Sequence, residues 1–133
     1  RQRMMTLLQE EAELEEIVKM VGMDALSPGD RLKMEAARSI REDFLHQNSF
    51  HEIDTYTSPK KQYMMLHTIL FNYEKSLEAL EHDALFSKLM SMPVLERIGR
   101  LKYVAEEDAE KEYKEILNDI KVQTETLAEG GTI

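Results

Sequence analysis

Apolar residues recur at helical spacing along nearly the whole chain. Met4, Leu7, Leu8, Leu14, Ile17, Val18 and Val21 form a first stripe, set among Glu10, Glu11, Glu13, Glu15 and Glu16. Gly22 is a plausible stop, because glycine takes the left-handed cap conformation without a Cβ penalty. Ser27-Pro28-Gly29-Asp30 reads as a restart: Ser27 can cap, Pro28 suits the first helical position, and Asp30 favours the positive end of the helix. The pattern predicts a second helix to about Gln47, burying Leu32, Ala36, Ala37, Ile40 and Phe44.

Periodicity then lapses from Asn48 to Ser58, where Phe50, Ile53 and Tyr56 alternate with polar residues. Ser58-Pro59 opens a third helix with a seam of Tyr63, Leu66, Leu70, Tyr73, Leu77 and Leu80, spaced by three and four. A short helix around Ala84 to Met90 follows. Pro93 starts another, carrying Val94, Leu95, Ile98 and Leu101. A last helix from about Glu106 to Leu127 presents Tyr113, Ile116, Leu117, Ile120 and Leu127, and Gly130-Gly131 closes it. No segment reads as a strand and no internal repeat is visible. The expected fold is all-α, a helical bundle of about five to six helices.

Composition narrows the classes. A chain of 133 residues fits one domain, and 42% apolar residues suffice for a packed core. With 26 acidic against 17 basic side chains, the net charge of −9 should repel nucleic acid and anionic membrane surfaces, because binding either relies on Lys and Arg. Cysteine is absent, so neither disulfides nor thiolate chemistry are available, in agreement with a reducing compartment. No apolar run of about 18 residues is present and no signal peptide is visible in this stretch, so no direct membrane insertion is expected. Arg1 rather than Met opens the chain directly into a helical pattern, and we expect a piece of a longer polypeptide.

Much familiar chemistry is missing. A phosphate-binding loop needs glycines followed by Lys-Ser or Lys-Thr. The glycines are Gly22, Gly29, Gly99, Gly130 and Gly131, and none is so followed. The histidines, His46, His51, His67 and His82, form no pair at ligand spacing with a third partner, so no metal site is expected. The glutamates are too many and too evenly spread to nominate an acid–base pair. Glu10 to Glu16 reads as a solvated helix face, with a subunit contact as the other reading. On residue type alone, Phe50 and Tyr56 read as plugs of a small local core. The stretch Asp24-Ala25-Leu26-Ser27-Pro28-Gly29-Asp30 reads as an ordinary helix–helix connection.

The order of the strings adds a second reading. The loop Asp24 to Asp30 precedes Arg38-Ser39-Ile40-Arg41 and then Phe44-Leu45-His46-Gln47-Asn48-Ser49-Phe50. That order resembles the C-terminal domain of rotary ATPase catalytic subunits. In the F-type β subunit an acidic loop of the form DELSEED stands between two such helices, followed by a stretch of the form FLSQPF. The closer resemblance is to the catalytic A subunit of archaeal A-type and vacuolar-type (V-type) ATP synthases, in which segments like REDFLHQNSFHEIDTYTSPKKQY are characteristic. Arg41 to Tyr63 reads that way throughout, and the resemblance extends over about three quarters of the chain, from Leu7 to Tyr103.

The resemblance implies a domain, residues 1–133, that follows a nucleotide-binding domain absent from this chain. That domain would hold the phosphate loop, the catalytic glutamate and the magnesium ligand. The fragment itself would therefore have no catalytic residue, while the full subunit would make or hydrolyse ATP with ADP and Mg, coupled to ion transport. Phe50 matches the phenylalanine ending the FLSQPF string, Tyr56 falls near a later pocket aromatic, and both would contact the adenine. Asp24 to Asp30 would contact the rotor. Ala25 replaces an acid of the DELSEED pattern and Pro28-Gly29 replaces two, so contact by shape is expected at an exposed loop whose residues stay out of the core. The implied partners are B subunits and the central rotor stalk, with nucleotide reached through the full subunit. The implied location is cytoplasmic, peripheral to the cell membrane in the soluble head. The alternative is a non-enzymatic helical scaffold or adaptor that binds partner helices. A free-standing carboxylate enzyme of bundle type is disfavoured, because the paired Glu-x-x-His motifs are missing.

Overall fold

The computed structural model describes residues 2–22, 25–45 and 58–132, with side chains for all of these except 43–45. The fold is all-α, and no strand occurs among the described residues. Among the described residues six α-helices follow in order: α1 (Gln2–Val21), α2 (Pro28–Ser39), α3 (Pro59–Glu81), α4 (Phe86–Leu89), α5 (Val94–Arg100) and α6 (Glu106–Ala128). Among the described residues no helix is long and apolar enough to cross a membrane.

The punctuation acts as its chemistry requires. Ser27 and Ser58 each cap a helix that opens on proline, with Oγ accepting the backbone N–H of Asp30 at 3.2 Å and of Lys61 at 3.1 Å. Gly22, at φ +90°, donates its N–H to the Val18 carbonyl and ends α1. α6 ends in a two-bond glycine cap, Gly130 N–H to Leu127 and Gly131 N–H to Thr126. α3 ends in the same way with a non-glycine residue: Asp83 sits at φ 71°, and Ala84 N–H reaches the Ala79 carbonyl at 2.9 Å.

α3 and α6 are the longest helices, and their cross-links show that they run parallel. Ser58 meets Glu106, Lys60 meets Glu110, His67 meets Tyr113, and Ala79 shares a groove with Thr124. α4, α5 and a short 3₁₀ turn (Leu101–Tyr103) form the return path between them. α2 runs antiparallel to α3: a Cβ added to Gly29 would meet Leu77 Cδ1 at 3.7 Å, and Ser39 lines a cavity with Ile69. One core joins Leu7, Leu32, Ile40, Met65, Ile69, Leu89, Val94, Leu101, Ile116 and Ile120.

Four sequence expectations need correction. The α3 seam is rotated: its buried residues are Lys61, Met64, Met65, Thr68, Ile69, Tyr73, Ser76 and Ala79, and Tyr63 is 62% exposed. α3 is covered by both α2 and α6, so its inner surface is broad, and the small residues Thr68, Ser76 and Ala79 let neighbours approach closely. In α1 the buried residues are Leu7 and Glu11, whereas Ile17 and Val21 from the expected stripe are exposed. The second helix leaves α geometry after Ser39 and continues as a π-helical turn, Ile40–Leu45. Its expected end near Gln47 lies outside the described residues, as does the burial expected of Phe44. Leu26, in the loop whose residues were expected outside the core, is only 6% exposed. Among the described residues of the loop it has the largest apolar side chain to remove from water.

Candidate functional site

Two sequence-predicted sites bracket α2. The first is the loop before it. Ala25, Ser27 and Pro28 are exposed, Gly29 and Asp30 partly so, and Leu26 turns inward. The loop is short and tied at both ends: Ala25 N–H bonds the Gly22 carbonyl at 3.3 Å, and Arg31 N–H bonds the Ser27 carbonyl at 3.0 Å. Leu26 is an inward anchor and Ser27 a cap, so residues 25–30 are held from both ends. Asp24 lies outside the described residues.

The second site is the segment after α2. Phe50 and Tyr56 both lie outside the described residues, so the structure does not bring them together or apart. What is described is how the chain is held on either side. Upstream, Arg41 in the π turn bonds Glu11 of α1, with Nε to Oε1 at 3.1 Å. Lys102 Nζ reaches the Glu42 carbonyl at 3.4 Å. Downstream, Ser58 N–H and Oγ donate to the Glu106 carboxylate at 3.2 and 2.9 Å. These bonds hold the Glu106 carboxyl below the usual carboxylate range. Buried Lys61 donates to the carbonyls of Lys102 and Val104 at 3.0 and 2.5 Å. Both ends are therefore fastened to the turn between α5 and α6.

Sequence reasoning missed these fasteners. Glu106 carried a usable signal, an acidic first turn placed to receive N–H donors, but its partner is 48 residues away. Lys61 carried none, because lysine is ordinarily a solvated residue.

Two other polar groups are structural in form. Arg97 of α5 spreads over Glu112, Glu115 and Asp119 of α6 and locks the two helices together. His67 lies among Tyr63, Phe71 and Tyr113, stacked on the Tyr63 ring at 5.6 Å, with Nδ1 2.7 Å from the Tyr113 hydroxyl. Partial burial pushes the His67 pKa down and the Tyr113 pKa up. Among the described residues, no group of three His, Asp or Glu side chains converges as a metal site.

The loop-then-α2 arrangement and the strings quoted above have a match. A family model described as the C-terminal domain of V and A type ATP synthase covers residues 1–90. The chain belongs to this family. It is 55% identical over 123 residues to the V-type ATP synthase alpha chain of Acetivibrio thermocellus, covering 92% of this chain and 21% of that protein. The alpha chain of Thermoanaerobacter pseudethanolicus is 54% identical, covering 98% of this chain and 22% of the relative. That of Clostridioides difficile is 52% identical, covering 90% and 20%. The chain thus spans about a fifth of the length of these curated relatives. Family membership displaces the alternative of a non-enzymatic helical scaffold or adaptor.

Proposed function

We propose that this chain is the C-terminal domain of the catalytic A subunit of a rotary ATP synthase of A or V type. The full subunit would make or hydrolyse ATP with Mg, coupled to ion transport. In that reading this domain closes the adenine side of the nucleotide pocket through Phe50 and Tyr56. It transmits opening and closing to the central rotor stalk through the tip formed by Asp24 to Asp30, beside B subunits, at the cytoplasmic face of the membrane. The carrying observation is 52–55% identity to V-type ATP synthase alpha chains over nearly the whole chain.

The local physics supports such a role. A coupling element needs two arrangements whose balance the nucleotide biases, and a rigid body moves between them with little internal loss. α2 joins the capped tip to the π turn directly, and the π turn leads into the segment bearing Phe50 and Tyr56. Movement at one end of this rod is carried to the other.

The test compares two variants of the full subunit in the assembled enzyme, measuring ATP-driven ion pumping. Extra glycines after Pro28 should uncouple pumping from hydrolysis, because they soften the tip. Asp24→Ala with Asp30→Ala should change coupling modestly, since exposed charge pairs contribute about 0–1 kcal/mol. The reverse ranking would sink contact by shape, and no effect from either would remove the rotor role.

A further inference from the structure

Lys61 is buried in the first turn of α3, where two physical costs fall on it. Removing a charge from water is unfavourable, and a cation at a helix N-terminus faces the positive end of the macrodipole. An apolar side chain would pack at this position without either cost. What the lysine does is reach across to the turn between α5 and α6. Its Nζ donates to the Lys102 carbonyl at 3.0 Å and to the Val104 carbonyl at 2.5 Å. Lys102 in turn donates from its own Nζ to the Glu42 carbonyl at 3.4 Å. One turn therefore holds the chain both before and after residues 43–57. That turn is itself fixed, because Leu101 is fully buried in the core. Ser58 strengthens the downstream side: its Oγ accepts the Lys61 N–H and donates to Glu106, which also accepts the Ser58 N–H.

We infer that Lys61 is a positioning residue for the nucleotide: by tying the start of α3 to the α5–α6 turn, it sets the adenine affinity that Phe50 and Tyr56 supply. The inference rests on the reading of those two residues as adenine contacts, and it names the group that acts through them. A stretch tied at both ends has fewer arrangements than one tied at a single end, so less ordering remains to be done when a ligand binds. Stacking depends on where a ring lies, and a misplacement of about 1 Å from a remote change can cost about 100-fold. The acceptors explain the residue type. Two backbone carbonyls need a compact donor with several N–H bonds on a long stem, which lysine provides. Arginine carries a planar fork suited to carboxylates, and methionine fills the space but donates nothing.

The experiment measures ATP hydrolysis by the assembled enzyme, with Lys61→Met made in the native background and again beside Phe50→Ala with Tyr56→Ala. In the native background Lys61→Met should raise KM for ATP about tenfold and leave kcat within about twofold, because binding is lost and the phosphate chemistry is untouched. Beside the two alanines it should change KM by less than about twofold, since the groups it positions are gone. An unchanged KM in the native background, a fall in kcat alone, or an equal rise in both backgrounds overturns the inference. Should Lys61→Met fail to assemble, Glu106→Ala decides by the same comparison. It frees Ser58 from an exposed side chain and should raise KM about threefold only where the aromatics are present. The alanine pair separates the two claims. If it raises KM while Lys61→Met and Glu106→Ala do not, the adenine reading stands and the positioning role falls. If the alanine pair itself leaves KM unchanged, the adenine reading falls and the positioning role with it.

Discussion

Glu11 of α1 and Arg41 of the π turn hold each other across 30 residues of sequence. The glutamate is 5% exposed and the arginine reaches it with two nitrogens from a half-exposed position. The pair ties α1 to the stretch where α2 leaves α geometry. Arg41→Ala would leave a buried carboxylate without its donors and should destabilise the fold by about 1–3 kcal/mol. Urea denaturation of the 133-residue chain, which we expect to fold alone with a cooperative melt, checks this. A change near zero would mean that Glu11 finds water instead.

The α3 packing predicts opposite outcomes for two positions on this helix. Ser76 is fully buried, so Ser76→Leu should overpack the core and cost about 1–3 kcal/mol. Tyr63 is exposed, so Tyr63→Ala should stay within about 0.5 kcal/mol. Period alone reverses this ranking, since Tyr63 belongs to the apparent seam. Equal effects in thermal melts would argue for that seam.

Asp83 occupies the left-handed position that glycine fills at the ends of α1 and α6. Asp83→Gly should remove a backbone penalty of about 1 kcal/mol and raise the melting temperature. A lowered melting temperature would show that the aspartate side chain itself stabilises the turn.

His67 gives a pH dependence with a definite sign. Burial lowers its folded pKa below the ordinary value of 6.5, so the unfolded chain binds the proton more readily. Stability from this group is therefore constant above about 6.5, falls as pH drops below it, and levels out under the folded pKa. With both ring nitrogens protonated, the Tyr113 hydroxyl can only accept at Nδ1. Melts at pH 7.5 and 5.5 should show a smaller loss for His67→Gln than for the native chain. An equal loss would assign the effect to the remaining histidines.

In the full subunit, Phe50→Ala should weaken nucleotide binding by about 1–3 kcal/mol through loss of a stacking surface. Calorimetry of the full subunit, beside melts of the isolated chain, distinguishes this from a packing role. Unchanged affinity with a large fall in melting temperature would return Phe50 to a local plug.

Much of this architecture was legible because its punctuation is local. Ser27-Pro28, Ser58-Pro59, Gly22 and Gly130 act through bonds to residues three to five positions away, so the sequence carries both partners. The rotation of α3, the exposure of Ile17 and Val21, and the burial of Lys61 were not legible. Each depends on which helix covers which face, and that is decided by contacts far apart in sequence. The strings in Arg41 to Tyr63 pointed to the family, yet the bonds that fasten this stretch come from Glu11, Lys102, Val104, Glu106 and Glu110, all outside it.

The parallel pairing of α3 with α6 bears on how the domain is born. Two helices that lie side by side but are separated by α4 and α5 cannot zip together as a hairpin does. The ribosome must release α6 before Ala109, Ile116, Ile120 and Leu127 can seal the core. Until then the face of α3 that meets α6 stays wet and sticky, and nascent chains in this interval are the ones a chaperone would need to shield.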